Sequence, residues 1–235
     1  MPRTVALVTG ATEGIGRAIA FELARAGYAV GLTGRTAAKL DRLVGELAAA
    51  GFPALGTPAD VADPDAVARL VDRVSAELGP IDVLVNNAGI AIVKPLAEMQ
   101  LEEWDRTFAT NVRGAFLLCQ AVLPGMRARR NGDIVNIVSL AGKNGVANGA
   151  AYSASKHALL GFSRSLMLEL RKEGIRVIAI CPGSVDTALL RNQSALKVNF
   201  DQILQPEDVA AMVVDALRVP RRAMVSELEI RPSNP

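Results

Sequence analysis

Short runs of β-branched and other apolar residues alternate along this chain with longer segments in which apolar positions recur every three or four residues. This alternation is typical of a parallel sheet whose strands are connected by helical crossovers. The short runs predict seven strands, at residues 5–9, 29–33, 54–57, 83–86, 134–139, 176–180 and 227–230. The longer segments predict six helices, at residues 14–26, 37–50, 63–78, 101–129, 151–172 and 206–217.

Seven strands with six crossovers predict an α/β fold, a doubly wound Rossmann-type domain whose seven-stranded parallel sheet has helices on both faces. The chain has 235 residues, of which 50% are hydrophobic, and its mean hydropathy is +0.26. A chain of this size can bury one large core, so we expect residues 1–235 to form a single domain. The longest stretch without a clear element, at about residues 188–205, predicts a substrate loop.

Composition argues against several functional classes. The net charge is +2 and no long basic tract occurs, so a nucleic-acid-binding surface is not indicated. His157 is the only histidine, and Cys119 and Cys181 lie in apolar segments, so neither a histidine triad nor a metal site is expected. No apolar run reaches about 18 residues and no signal peptide is evident, which predicts a cytoplasmic protein. The sequence ends soon after the seventh predicted strand, which favours an open substrate site.

Tyr152 and Lys156 are the first candidates for chemistry, because residues four apart lie on one face of a helix. A free tyrosine has a pKa of about 10, and lowering it by roughly three units requires about 4 kcal/mol in favour of the phenolate. A lysine charge about 5 Å away supplies on the order of 3 kcal/mol at an effective dielectric constant of about 20. The pair therefore predicts a proton donor, although Tyr and Lys at this spacing also occur on ordinary solvated helix faces.

A glycine-rich turn follows the first predicted strand and leads into a helix, with glycines at positions 10, 14 and 16. This spacing departs from the G-x-G-x-x-G fingerprint, but the same physical tasks are met: a tight turn, close approach of the backbone to a pyrophosphate, and packing of the helix on the strand. The turn predicts a dinucleotide site, with a merely tight connection as the alternative.

The residues after the second predicted strand indicate which dinucleotide is bound. An acidic residue at this place would accept a hydrogen bond from the adenosine ribose, but the chain has Gly34 and Arg35 there. The guanidinium of Arg35 offers a planar set of donors for a 2′-phosphate, so we expect NADP(H) rather than NAD(H). The alternative is that Arg35 is only an exposed residue that opens the next helix.

With residues 9–16, 86–89, Asn111, Ser139 and 152–156 in this order, the chain resembles the short-chain dehydrogenase/reductase superfamily over nearly its whole length. The resemblance implies that Tyr152 is a general acid or base toward a carbonyl or alcohol oxygen. It further implies that Lys156 lowers the pKa of the tyrosine and holds the nicotinamide ribose. Ser139 would hydrogen-bond the substrate oxygen, and Asn111 would hold a water that links Lys156 to solvent.

The same resemblance implies the cofactor contacts. Asp60 and Val61 would border the adenine, and the segment that begins at Pro182 would fix the nicotinamide so that the hydride leaves its B face. The complete expected set is Gly10, Thr12, Gly14, Ile15, Gly16, Arg35, Asp60, Val61, Asn87, Ala88, Gly89, Tyr152, Lys156, Pro182, Gly183, Val185 and Thr187.

The expected reaction interconverts a ketone and a secondary alcohol, since the chain resembles bacterial NADPH-dependent carbonyl reductases. The alternative is a 3-oxoacyl-[acyl-carrier-protein] reductase, in which Arg129, Arg130 and Lys172 would bind the acidic carrier. A second alternative from another class is a protein that senses NADP(H) without catalysis. The intact residues Tyr152 and Lys156 argue against that alternative.

The substrate is expected to be a small molecule with a carbonyl group, or an acyl thioester. Apolar residues of the loop would line a pocket for its hydrophobic part, or they would only pack on the core. In relatives of this superfamily, the long helices that end here near residues 129 and 172 pack across a two-fold axis, so a homodimer or homotetramer is expected. The apolar loop residues are Leu189, Leu190, Leu196, Val198, Phe200, Ile203 and Leu204.

Overall fold

The structure is a computed structural model that describes residues 3–193 and 199–233. Its sheet has seven parallel strands in the order β3-β2-β1-β4-β5-β6-β7, which confirms the predicted fold class. Strand order reverses between β1 and β4, so a crevice opens there at the carboxyl ends of the strands. The strands are β1 (Val5–Thr9), β2 (Ala29–Thr33), β3 (Ala54–Gly56), β4 (Ile81–Asn86), β5 (Gly132–Ile137), β6 (Ile175–Pro182) and β7 (Glu227–Ile230).

Helices connect the strands and begin close to their predicted positions. Helix α3 shows why the boundary can be read locally: the carboxylate of Asp63 accepts hydrogen bonds from the backbone N–H groups of Asp65 and Ala66, and proline occupies the first turn. The α-helices in the described residues are α1 (Gly14–Arg25), α2 (Ala37–Ala49), α3 (Pro64–Glu77), α4 (Leu101–Phe108), α5 (Gly114–Arg129), α6 (Ala150–Leu170), α7 (Ala188–Arg191) and α8 (Pro206–Arg218).

Both faces of the sheet are buried, as the nearly continuous apolar strands require. Helices α1, α2 and α8 pack against one face, where Ala6 and Val8 of β1 point. Helices α3, α5 and α6 cover the other face, where Val5 and Leu7 of the same strand point. The sheet is therefore packed between two layers of helices, which fixes the positions of the residues at its carboxyl edge. In the described residues, no helix is long and apolar enough to cross a membrane.

The predicted helix at residues 101–129 is interrupted, which corrects the sequence-based prediction. A π-helical segment, Ala109–Arg113, separates α4 from α5. At its centre the buried side chain of Asn111 bonds to the backbone of Ile90 in a distant loop, which widens the turn. Helical periodicity alone gives no sign of this partner.

Two further differences concern residues near the crevice. Strand β5 ends at Ile137, so Ser139 lies beyond the strand and not at its end as expected. The predicted loop at about 188–205 contains the short helix α7 and the turn that precedes α8. Of the apolar residues expected to line a pocket there, Leu196 and Val198 lie outside the described residues.

Candidate active site

A cavity of about 620 Å³ lies in the crevice at the carboxyl edge of the sheet. Nearly all residues predicted to bind the cofactor or to act in catalysis border it. The exceptions are Gly16 and Asn111, which lie behind its lining. The predicted residues that line the cavity are Gly10, Thr12, Gly14, Ile15, Arg35, Asp60, Val61, Asn87, Ala88, Gly89, Ser139, Tyr152, Lys156, Pro182, Gly183, Val185 and Thr187.

The floor of the cavity is fixed by hydrogen bonds between the ends of β1 and β4. The hydroxyl of Thr9 accepts hydrogen bonds from the backbone N–H groups of Asn87 and Ala88, each at 2.9 Å. In return, the side-chain amide of Asn87 donates to the backbone oxygens of Thr9 and Gly10 at 2.9 and 3.1 Å. Both hydrogens of the Asn87 amide therefore serve the framework, which the sequence reading of Asn87 as a cofactor contact did not anticipate.

The glycine turn brings the N-terminus of α1 to the cavity. Gly10 and Gly14 have φ angles of +60° and +54°, which favour glycine. A Cβ at Gly16 would collide with the carbonyl oxygen of Gly10, so this glycine allows the helix to pack on the turn. The free N–H groups of the first helical turn can bind phosphate oxygens. The carboxylate of Glu13 pairs with Lys39 at 2.8 Å, which offsets its charge beside this anion site.

Arg35 borders the same end of the cavity and is exposed. It forms no ion pair within residues 3–193 and 199–233. A Cβ added to Gly34 would come within 2.9 Å of Cγ2 of Thr12, so the ends of β2 and the glycine turn nearly touch. This proximity places a guanidinium beside the phosphate-binding turn.

Ser139 and Tyr152 face the opposite end of the cavity. The Ser139 hydroxyl accepts a hydrogen bond from the backbone N–H of Ala141 at 3.1 Å and so caps a short 3-10 helix, Leu140–Gly142. Tyr152 lies in the first turn of α6 and is half-buried. The two side chains come from different elements, yet both reach one wall of the cavity.

Lys156 lies one turn further along α6, with its ammonium buried. Nζ donates a 2.9 Å hydrogen bond to the backbone oxygen of Ile137 and lies 5.8 Å from the ring centroid of Tyr152. Burial disfavours the charged ammonium and lowers the pKa of Lys156 to about 8.

The pKa of Tyr152 differs from the sequence-based expectation. Burial of the phenol raises its pKa above the ordinary value, and a hydrogen bond with Ser139 opposes that rise. We expected Lys156 to lower this pKa, but in the structure desolvation of the phenolate dominates, and the opposing contribution comes from Ser139 and not from Lys156. Spacing along a helix correctly predicts that the ammonium lies near the phenol ring, whereas the loss of solvation depends on the rest of the fold.

Asn111 is held behind the cavity wall by three hydrogen bonds. Its Oδ1 accepts from the backbone N–H of Ile90 at 2.8 Å, and its Nδ2 donates to the Ile90 oxygen at 2.9 Å and to Oγ of Ser155 at 3.0 Å. A Cβ built on Gly89 would lie 3.3 Å from Oδ1 of Asn111 and 3.7 Å from Nζ of Lys156. The side chains of Asn111 and Lys156 therefore lie close to each other, on either side of the space next to Gly89.

The sequence does not indicate Ser155 as a site residue, although it lies within the segment 152–156 on which the family resemblance partly rests. It is fully buried, and its hydroxyl donates to the backbone oxygen of Tyr152 at 2.7 Å while it accepts from Asn111. A small polar residue adjacent to the candidate lysine is the only signal that the sequence offers, because the partner amide is 44 positions away.

A further part of the cavity lining is the segment that starts at Pro182, the last residue of β6. The backbone N–H of Gly183 donates to the oxygen of Ile230 on β7 at 2.8 Å, and Thr187 is the N-cap of α7. Beyond α7, Nε2 of Gln193 donates to the oxygens of Ala91 and Leu189 at 3.0 and 3.2 Å. These bonds hold the start of the predicted substrate loop against the loop after β4.

The basic residues expected to bind a carrier protein do not border the cavity. Arg129 donates to the backbone oxygen of Ile81 at the start of β4, and Arg130 donates to that of Lys172. These positions precede β5 and β6, so they lie at the amino edge of the sheet. Within one chain they are on the opposite side from the cavity.

Metal binding has no structural basis in the described part of the chain. Within it, no three His, Cys, Asp or Glu residues are grouped so that they could hold a metal ion. Cys119 and Cys181 are both free thiols and buried, and burial raises the pKa of Cys119 to about 12.

The sequence and the fold match a known family. The family model described as short chain dehydrogenase matches residues 4–197, and the chain belongs to this family. This confirms the expected class of oxidoreductase. The chain is 40% identical over 231 residues to granaticin polyketide synthase putative ketoacyl reductase 1 of Streptomyces violaceoruber, with 90% of this chain and 85% of the relative covered.

A solved structure of a single-residue variant of actinorhodin polyketide ketoreductase with NADPH has a TM-score of 0.91 and 37% identity, covering 98% of this chain and 96% of that one. Its cofactor agrees with the one expected here. The chain is also 39% identical over 235 residues to a glycine betaine reductase of Emericella nidulans, of which it spans only 18%. Members so different in name show that membership of the family does not specify a substrate.

Proposed function

We propose that this protein is an NADPH-dependent reductase that converts an uncharged, largely apolar ketone into a secondary alcohol. The observation that supports this most strongly is a single cavity with an exposed arginine beside an anion-binding turn at one end and Ser139, Tyr152 and Lys156 at the other. The first end suits a 2′-phosphorylated dinucleotide, and the second suits a carbonyl oxygen that gains a proton.

The glycine turn provides a physical test of the cofactor assignment. At Gly10 a Cβ would lie 2.9 Å from Cα of Ala88, and at Gly14 it would lie 3.0 Å from Cγ2 of Thr187. At both positions the backbone borders the cavity directly, without a side chain between them, so a pyrophosphate could approach it closely. Bound NADPH would supply the hydride, Arg35 would hold its 2′-phosphate, and Asp60 and Val61 would border its adenine.

The catalytic residues act on the carbonyl oxygen. Tyr152 donates the proton that the new alkoxide needs, and Ser139 donates a hydrogen bond to the same oxygen. Lys156, with a pKa lowered to about 8, is still mostly protonated at neutral pH, and its charge favours the phenolate that Tyr152 becomes. Asn111 fixes the loop that contains Gly89 by its hydrogen bonds to Ile90, and this loop lies against Lys156.

The cavity lining favours an uncharged substrate. The charged side chains among its described lining residues are Glu13, Arg35, Asp60 and Lys156. Glu13 is paired with Lys39, Arg35 and Asp60 lie at the cofactor end, and Lys156 lies beside the proton donor. Desolvating a charged substrate without a partner would be costly. The substrate end is instead lined by apolar side chains, namely Ile90, Ala91, Val93, Val138, Leu140, Val146, Leu189 and Leu190.

A 3-oxoacyl-[acyl-carrier-protein] reductase is the second candidate, because the relatives include ketoacyl reductases that share about 40% of their residues with this chain. An apolar cavity suits an acyl chain equally well. The distinction lies in the carrier: the second candidate requires that a carrier-bound substrate is reduced far better than a free ketone.

We also propose that the chain works as a single domain in a homo-oligomer. Phe116 on α5 and Leu168 on α6 are 45% and 57% exposed, so each of these helices presents a large apolar side chain to solvent. A second copy of the chain would cover both. Light scattering or native mass spectrometry should give a dimer or tetramer, and a monomer at micromolar concentration would contradict this.

The activity test is NADPH oxidation, followed by the loss of NADPH absorbance, with a panel of diketones, aliphatic ketones and acetoacetyl thioesters, free and carrier-bound. We expect turnover of free ketones, and a loss of ~10²–10⁴-fold in kcat for Tyr152→Phe with unchanged NADPH affinity. Unchanged turnover by Tyr152→Phe would refute the mechanism. NADPH binding without turnover of any carbonyl would instead support the sensing alternative.

A further inference from the structure

A cluster of charged side chains joins the turn after Ser139 to the last strand of the sheet. Lys143 follows the 3-10 helix Leu140–Gly142, and its ammonium forms ion pairs with both Glu227 and Glu229 of β7. The two glutamates are two positions apart on one strand, so their side chains share a face of the sheet. None of these three residues borders the cavity.

The cluster is anchored on two sides. Arg164 of α6 pairs with Glu227 at 3.0 Å, and Arg231 pairs with Glu229 at 2.7 Å. The side chains of Lys143 and Glu227 are each only 23% exposed, so their attraction is screened less than that of a surface pair. Hydrogen bonding to Glu227 is the main cause of the raised pKa of Lys143, so the lysine is firmly protonated at neutral pH.

The turn held by Lys143 is the element that orients Ser139. The Ser139 hydroxyl accepts from the N–H of Ala141, and the Ser139 carbonyl oxygen accepts from the N–H of Gly142 at 2.9 Å. On its inner side the turn touches α6, because a Cβ on Gly142 would lie 2.8 Å from the backbone oxygen of Lys156. On its other side, the turn is connected to β7 by the ion pairs of Lys143 with Glu227 and Glu229.

We propose that Lys143 is a positioning residue for the reaction. Clamped between Glu227 and Glu229, it holds the turn against α6 and keeps the Ser139 hydroxyl aimed at the substrate oxygen. A donor that is misplaced by about 1 Å can cost as much as ~10²-fold in rate, so loosening this turn should slow catalysis without weakening cofactor binding. The kinetic part of this inference rests on the proposed reductase function.

Kinetics of Lys143→Met give the first test. We expect kcat to fall on the order of tenfold with NADPH affinity within about twofold of wild type, and Lys143→Arg to recover most of the loss. The matched control is Arg127→Met, which removes another cation between two carboxylates, Glu169 and Glu173, at the far edge of the sheet. This control should retain wild-type kcat.

A double-mutant cycle separates positioning from general destabilisation. If Lys143 acts through Ser139, Lys143→Met should cause no further loss in a Ser139→Ala background. A full additional tenfold loss there, or wild-type kcat in the single variant, would overturn the proposal.

Amide hydrogen exchange provides a measurement that does not depend on activity. In Lys143→Met, the amides of Ala141 and Gly142 should exchange at least about fivefold faster, while those of β1 keep their protection. Unchanged exchange in the turn would overturn the proposal even if ketones are reduced. If the wild-type protein reduces no ketone, the proposed function fails, and the exchange data still decide whether Lys143 holds the turn.

Discussion

Lys156 donates a 2.9 Å hydrogen bond from Nζ to the backbone oxygen of Ile137, the last residue of β5. This bond fixes a buried ammonium at the carboxyl edge of a central strand. The protein alone therefore presets the position of the charge, before any cofactor hydroxyl binds it. Burial without a carboxylate partner has a thermodynamic consequence that can be measured.

The stability of the fold should depend on pH through Lys156. Its pKa is lowered to about 8 in the folded protein, and is about 10.4 in the unfolded chain. Between these values the unfolded chain binds more protons, so the free energy of unfolding rises with pH, by on the order of 3 kcal/mol in total. Lys156→Met lacks this contribution. Urea unfolding at pH 7, 8, 9 and 10 should show the wild type gaining stability relative to the variant.

Other groups that titrate in this range are common to both proteins, so they cancel in the difference between wild type and Lys156→Met. A difference that stays constant from pH 7 to pH 10 would show that the folded lysine titrates normally. A difference that changes below pH 7 would point to another group.

The strand and helix pattern was predictable because it follows from local periodicity, while the break at Asn111 was not. The amide of Asn111 bonds to Ile90 and Ser155, which are 21 and 44 positions away. A helix predicted from periodicity continues smoothly through such a residue, since nothing nearby in sequence shows that its amide has distant partners.

The candidate site shows the same division. Positions after predicted strand ends identified much of the cavity lining, including Arg35 and Ser139, because the carboxyl ends of the parallel strands meet at one edge of the sheet. The raised pKa of Tyr152 was not predictable, since it depends on how much solvent the assembled fold removes. The ion pair between Lys143 and Glu227 was not predictable either, because the two residues are 84 positions apart and meet only in the folded protein.

Gly10 should be intolerant of a side chain. Gly10→Ala would place a Cβ 2.9 Å from Cα of Ala88 at a φ of +60°, so we expect a loss of about 1–2 kcal/mol in stability and weaker NADPH binding. Gly45→Ala is the control, since no atom lies within 4 Å of its added Cβ in α2, and it should stabilise the protein by about 0.5–1 kcal/mol. Urea unfolding and NADPH fluorescence titration measure both effects. Equal behaviour of the two variants would contradict the strained, closely packed turn.

Arg35 should determine the choice of cofactor. Arg35→Ala removes charge-assisted hydrogen bonds to a 2′-phosphate, so the Kd for NADPH should rise about 10–100-fold while that for NADH stays unchanged. Arg42→Ala is the control, because Arg42 is exposed on α2, pairs with Glu46 and does not border the cavity. Isothermal titration with both cofactors measures this. A wild-type preference for NADH, or equal loss of both cofactors, would refute the assignment.

Ser155 and Ser163 are a matched pair in α6, and their comparison separates a role at the site from a structural one. Each hydroxyl accepts from an asparagine amide, Asn111 at 3.0 Å and Asn136 at 2.8 Å. Each also donates to a backbone oxygen one turn back in its helix at 2.7 Å. Replacing either serine with alanine leaves a buried amide hydrogen without a partner and should cost about 1–3 kcal/mol in stability.

Only Ser155→Ala should slow turnover, because the amide that it releases lies beside Gly89 and Lys156. We expect kcat to fall on the order of tenfold in Ser155→Ala and to stay within about twofold in Ser163→Ala at the same loss of stability. Steady-state kinetics at about 15 °C, near the temperature of maximum stability, would compare the two variants while both remain folded. Equal kcat for both variants would mean that the orientation of Asn111 does not matter for the reaction, and that Ser155 serves only the packing of α6 against the π-helical segment.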